Sequence, residues 1–211
     1  IVVRREDTRE SLKEKVRSAT ILGTFQSTLT EFKYLSREWK RNCDEERLLG
    51  VSLTGIMDNP ITNGSKKGLD TLLEELRDVA YETNKEWAEK LGIPPSAAIT
   101  CVKPSGTVSQ LVDSASGIHA RHNPYYIRTV RADNKDPLCK MMKKQGFPNE
   151  ADVTKPEHTT VFSFPMKSPK GAVFRMDMTA MEQLDLWKTY ATSWCEHKPS
   201  VTISVKEDEW V

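Results

Sequence analysis

Between Ser11 and about Phe32, apolar residues recur at helical spacing: Leu12, Val16, Ala19, Ile21, Leu22, Phe25, Leu29 and Phe32. The period predicts a long amphipathic helix with one buried face. Asp7 or Thr8 is placed to cap it, and Glu10 sits in its first turn. The polar run from Ser36 to Arg47 fits a shorter helix or a loop. Leu48 to Gly55 alternates apolar with small residues and predicts a buried strand, which Met57-Asp58-Asn59-Pro60 breaks. Leu69, Leu72, Leu73, Leu76, Val79, Ala80, Trp87 and Leu91 fall on one stripe, so a helix spans Leu69 to Leu91 and stops at Gly92. The β-branched run Ala98 to Val102 predicts a short buried strand, stopped where Pro104 has no N–H to donate. Val108 to Val112 is helix-compatible. Strand, helix, strand, loop, helix is the order of parallel strands with crossover helices, an α/β class.

Farther on, Ser116 to Arg131 reads as irregular, and Asp136 to Gly146 as a short helix. Thr159 to Pro165 predicts a strand, and Thr179 to Trp194 an amphipathic helix with Met181, Leu184, Leu186, Trp187 and Ala191 inward. Ser200 to Val205 is β-branched and predicts a last strand.

Charge changes this picture little. Among 211 residues, 31 basic and 30 acidic side chains nearly cancel, so nothing favours a general nucleic-acid or membrane surface. No apolar run is long enough for a membrane span. The four cysteines, Cys43, Cys101, Cys139 and Cys195, are scattered without a CxxC pair or metal-ligand spacing. The expectation is a reduced, cytoplasmic protein. Ile1-Val2-Val3 reads as the end of a strand, and Glu209-Trp210-Val211 stops without a terminal helix or polar tail. A segment of a longer chain is expected.

Candidate chemistry gathers where the strand ends at Lys103. Pro104-Ser105-Gly106-Thr107 then opens into a helix start, which leaves backbone N–H groups unpaired and suited to an anion. Gly106 permits close approach, the hydroxyls of Ser105, Thr107 and Ser109 add donors, and Lys103 adds charge. An N-capped helix after a strand accounts for the same residues, with Ser105 or Thr107 as the cap.

Other clusters are less telling. His119 and His122 lack a cysteine or carboxylate at ligand spacing, so a surface or interface loop explains them better than a metal. Arg121, Arg128 and Arg131 either face the anion loop as counter-charge or solvate an exposed strand. Tyr125 and Tyr126, adjacent on a strand, face opposite sides, which favours packing over radical transfer. Cys101 and Cys195 read as small buried hydrophobes, and His197 as a helix-end residue.

Several stretches match one family together and in order. Lys103-Pro104-Ser105-Gly106-Thr107-Val108-Ser109-Gln110 resembles the substrate-phosphate loop of ribonucleotide reductase large subunits. Ser116-Gly117-Ile118-His119 through Tyr125-Tyr126-Ile127-Arg128 resembles the segment that follows it in the adenosylcobalamin-dependent class. Glu45-Glu46-Arg47 with Gly50 to Asp58 resembles the preceding barrel strand, and Trp194 to Val205 a late one. The resemblance implies the second half of a ten-stranded α/β barrel, with residues 1–211 one partial catalytic domain. It implies conversion of ribonucleoside di- or triphosphates to deoxyribonucleotides by a thiyl radical. The implied cofactor is adenosylcobalamin. The implied partners are the ribonucleotide substrate, a thioredoxin-like reductant and the remainder of the chain, with monomer and homodimer both open.

The family's Asn-Pro-Cys-Gly-Glu motif is absent and expected shortly before Ile1. No cysteine here matches an active-site position, so the resemblance carries over no catalytic residue. It carries over Pro104, Ser105, Gly106, Thr107 and Val108 as the substrate-phosphate site. The chain alone is then expected to be inactive. A non-catalytic nucleotide-binding module is the alternative function, and a structural domain in which Pro-Ser-Gly-Thr is only a turn is another.

Overall fold

In the computed structural model, which describes residues 1–210, the elements follow the predicted order with several changes. Helix α1 (Arg9–Gln26) and helix α2 (Arg37–Glu46) precede strand β1 (Val51–Ser52). A 3-10 turn (Ile56–Asp58), helix α3 (Leu69–Leu91), strand β2 (Thr100–Cys101) and helix α4 (Val108–Leu111) follow. Then come strand β3 (Tyr125–Asp133), helix α5 (Pro137–Lys144), strand β4 (Asn149–Ala151), strand β5 (Thr159–Lys167) and helix α6 (Ala180–Ser193). The chain forms two compact units: Ile1–Arg121 with the described residues from Lys170 onward, and His122–Pro169.

The first unit is α/β. Strands β1 and β2 pair in parallel, Val51 opposite Thr100, with α3 as the crossover between them. Residues 1–3 extend the ladder on the other side of β1, through a parallel bridge from Val2 to Thr54. Val3 N–H donates to the Thr54 carbonyl at 2.8 Å, and Thr54 N–H to that of Ile1 at 2.9 Å. Leu53, Ile56, Leu73, Leu76, Ile99 and Val102 bury completely or nearly so beneath α1, α3 and α6, together with Tyr190 and Trp194. The leucine stripe of α3 is therefore the main apolar contribution to this core.

Helix α1 departs from its sequence pattern. Thr8 caps it in a capping box with Ser11, but it ends at Gln26, short of Phe32. The Ser27 and Thr28 hydroxyls donate to the carbonyls of Thr24 and Phe25, taking up its last turn. Its buried face in that half is Thr20 and Thr24, leaving Leu22 and Leu29 mostly exposed. Each threonine donates to the carbonyl four residues back, and Asn84 of α3 donates to the Thr24 hydroxyl at 3.0 Å. Polar groups with partners can thus occupy an interior stripe that periodicity assigns to apolar ones. Helix α6 likewise buries Leu186 and Tyr190 and leaves Met181 and Leu184 exposed.

Ser200 to Val205 is not a strand. The outer edge of β2, where a further strand would pair, is occupied by Glu196. Glu196 N–H donates to the Thr100 carbonyl at 3.0 Å, and its carboxylate accepts from the amides of Ile99 and Thr100. The 200–205 stretch is held instead by side chains: Thr202 N–H donates to His119 Nε2, and Ser204 N–H to Gln183 Oε1.

Tyr81 on α3 completes this edge by donating its hydroxyl to Glu196 Oε1 at 2.6 Å. Burial pushes the Glu196 carboxyl up, but the Tyr81 hydroxyl and the two amides outweigh it and hold it below the usual carboxylate range. Burial, reinforced by the same hydrogen bond, pushes the Tyr81 phenol up to about 12. Its folded value lies above an unfolded value of about 10, so this stabilisation is complete below about pH 10 and lost as pH rises towards 12. In alkaline thermal melts the Tyr81→Phe variant should lose less stability over that window than the unaltered chain. Equal losses would show that the bond to Glu196 does not form in solution.

The second unit is a three-stranded antiparallel sheet in the order β3-β5-β4, with Tyr125 opposite Lys167 and Asp133 opposite Thr159. Residues 125–131, expected to be irregular, lie within nine-residue β3. Their mixture of tyrosines, arginines and exposed apolar residues gives no clean alternation, because little of the strand is buried on either face. Asp136 caps α5, with Pro137 in the first turn, and Cys139 and Phe162 are buried. Among the described residues no helix is long and apolar enough to cross a membrane.

Candidate anion-binding loop

The parallel strands end together, and that places the loop. At the end of β2, Lys103 N–H donates to the Ser52 hydroxyl of β1 at 3.0 Å. Pro104 donates nothing, so the ladder stops there. Ser105 N–H donates to Ser116 Oγ at 3.0 Å, and Ser116 Oγ donates back to the Ser105 carbonyl at 2.9 Å. Ser109 N–H donates to Ser105 Oγ at 2.8 Å, and the Ser109 hydroxyl donates to the Ser105 carbonyl.

These bonds sort the expected donors. Ser105 and Ser109 are tied up within the loop, so the amides of both and the hydroxyl hydrogen of Ser109 are spent internally. Ser105 does perform the cap-like duty expected of it, whereas the Thr107 hydroxyl caps nothing although Thr107 holds the N-cap position of α4. Among the described residues, the amides of Gly106, Thr107 and Val108 donate to no protein acceptor. All three residues line a cavity of about 400 Å³, with Pro104, Ser105, Lys103, Ser52, Thr54 and Ile1 around it. Helix α4 is a single turn, so its dipole adds little. What the loop offers a candidate anion is three consecutive N–H groups without protein acceptors, with Lys103 exposed at the rim.

The floor of the loop comes from the segment 114–118. Asp58 Oδ2 accepts the Ala115 N–H at 2.8 Å, and Gly55 N–H donates to the Ala115 carbonyl at 2.8 Å. Thr54 Oγ1 donates to that carbonyl at 3.0 Å and accepts the Gly117 N–H at 2.9 Å. Gly117 has φ +55°, and a Cβ there would lie 2.8 Å from the Lys103 carbonyl oxygen. Only glycine allows so close a passage beneath the loop. Thr54, Gly117 and Ser116 are therefore parts of the loop's support; the stretches Gly50 to Asp58 and Ser116 to Arg128 contain all three, but nothing in their spacing assigns them this role.

Arg121 does not face the cavity as counter-charge. It is buried and grips Asp58 with two bonds, Nε to Oδ1 at 2.7 Å and Nη2 to Oδ2 at 2.9 Å. Arg131 is engaged in the other unit, donating to Asp152 at 2.8 Å, and Arg128 lies on β3. His119 accepts the Thr202 N–H at Nε2 and so carries its proton on Nδ1, 3.1 Å from the Ser116 carbonyl. Cys101 and Cys195 are buried. Burial, with Cys101 nearby, pushes the Cys195 thiol up to about 12, the opposite of a reactive thiolate.

No model of a known protein family matches the chain. It is 30% identical over 200 residues to the adenosylcobalamin-dependent ribonucleoside-triphosphate reductase of Euglena gracilis, covering 95% of this chain and 27% of that protein. The enzyme of the same name from Lactobacillus delbrueckii subsp. bulgaricus is 27% identical over 194 residues, 78% of this chain and 26% of that one. A probable enzyme of this kind from Dictyostelium discoideum is 27% identical across 92% of this chain. The solved structure of a B12-dependent, class II ribonucleotide reductase superimposes with a TM-score of 0.76 at 23% identity, over 89% of this chain and 30% of that one. The fold is thus shared, and the chain spans about a quarter of the length of the curated relatives it matches.

Proposed function

We propose, from the premise that this chain belongs to the adenosylcobalamin-dependent ribonucleotide reductase family, that it forms the substrate-phosphate site of such an enzyme. Residues 1–211 are then part of one catalytic barrel of ten strands, with 1–3, β1 and β2 as neighbouring barrel strands. Pro104, Ser105, Gly106, Thr107 and Val108 hold the phosphates of a ribonucleotide. The reaction of the whole protein is reduction of a ribonucleoside di- or triphosphate to its deoxy form, with a thioredoxin-like reductant. The radical cysteine is supplied by chain outside these residues, and the chain alone does not turn over.

The observation that carries this reading is the run of free amides at 106–108 lining one cavity. A phosphate there accepts charge-assisted hydrogen bonds, each worth roughly 1.5–3 kcal/mol. The loop contributes position rather than bond-making: a fixed phosphate tail fixes the ribose relative to the attacking group. Adenosylcobalamin, when bound, supplies the radical. The cavity of about 400 Å³ is assigned to the phosphate tail of the nucleotide, and adenosylcobalamin to the full-length protein.

Titrating the isotope-labelled chain with CTP, and separately with inorganic triphosphate, tests the site. The largest amide shifts should fall on Gly106, Thr107 and Val108 with both ligands. Shifts that avoid these residues would leave the loop as a turn and cap.

A further inference from the structure

We propose that Ser116 is a positioning residue for the anion loop, setting which amides the loop offers; this rests on the phosphate reading above. One hydroxyl engages both backbone groups of one residue: Ser116 Oγ accepts from Ser105 N–H at 3.0 Å and donates to the Ser105 carbonyl at 2.9 Å. The clamp acts at the first residue after Pro104 and immediately before the three free amides. It takes the Ser105 amide out of the set of donors and fixes the plane from which Gly106, Thr107 and Val108 continue.

The clamp itself stands on rigid ground. On one side of Ser116, Ala115 is held by Asp58, Gly55 and Thr54; on the other, Gly117 is held by Thr54. The ends of β1 and β2 and the segment 114–117 are thus linked by hydrogen bonds; Ser114 N–H reaches the far end of the loop at the Ser109 carbonyl, and Ser116 reaches its start at Ser105. Three free amides converge on one anion only if their backbone is held before the ligand arrives, because ordering it on binding costs affinity. Ser116 touches no substrate in this scheme; it acts through Ser105.

The test compares Ser116→Ala, Ser116→Cys and Ser116→Thr with the unaltered chain. Affinities for CTP and inorganic triphosphate, amide shifts and amide hydrogen exchange are the readouts. Alanine should weaken both ligands about tenfold, the loss of one well-made pair of hydrogen bonds. It should speed exchange of the Ser105 amide while leaving the amides of α3 unchanged. Cysteine keeps the volume but bonds weakly, so it should lose affinity too, and it serves if the alanine variant does not fold. Threonine keeps the hydroxyl and should recover most of the affinity. A purely structural hydroxyl would shift the melting temperature without this pattern of loss and recovery. Equal affinity in the serine, alanine and cysteine forms would overturn the positioning role while leaving the phosphate site standing. Failure of the unaltered chain to show shifts at 106–108 would overturn the phosphate reading itself.

Discussion

Gly106→Asp should abolish nucleotide binding and leave the fold intact. The backbone at Gly106 is outside the left-handed region, and a Cβ there meets nothing within 4 Å. A side chain is therefore accommodated without strain, and melting temperature should barely move. The new carboxylate, however, stands beside the three free amides, where it competes for them and repels the incoming phosphate. Two like charges about 4 Å apart repel by about 4 kcal/mol at the effective dielectric near a protein surface, about a thousandfold in affinity. Gly106→Ala adds bulk without charge and should cost much less. Calorimetric titration with CTP reads both variants. An aspartate variant that binds as well as the original would remove the loop from the binding site.

The largest loss of stability should come from Arg121→Ala. Arg121 and Asp58 have side chains only 4% exposed each, and the pair ties the turn after β1 to the segment beneath the loop. Removing the guanidinium leaves a buried carboxylate with the Ala115 amide as its remaining strong donor. Breaking such a pair from one side costs about 3–5 kcal/mol, a large part of a domain's total of about 5–15 kcal/mol. Arg121→Lys keeps the charge but loses the two-pronged geometry, so it should fall between. Urea unfolding with an unchanged denaturant slope is the measurement. A loss below about 1 kcal/mol would mean that the pair is not buried in solution.

The same pair marks where the sequence stops being informative. Asp58 reads only as part of a strand-breaking turn, and Arg121 as one of several arginines equally suited to solvent or to an anion. Their partnership spans 63 residues. The Ala115–Asp58 bond spans 57, and even the Ser116 clamp spans 11 with no periodic pattern to betray it. Likewise, Ser200 to Val205 has the composition of a strand. A strand also needs a free edge, and Glu196, just past α6, takes that of β2.

By itself the sequence determined the α/β order, the span of α3 with its leucine stripe and Gly92 stop, and the place of the loop after β2. These follow from preferences expressed within a few residues: spacing of apolar side chains, β-branching, proline without a donor. The tertiary structure alone decided that Ser105 and Ser109 turn their amides inward while Gly106, Thr107 and Val108 keep theirs free. Whether a buried N–H is satisfied depends on which distant oxygen packs against it, and that is settled only when the whole unit closes.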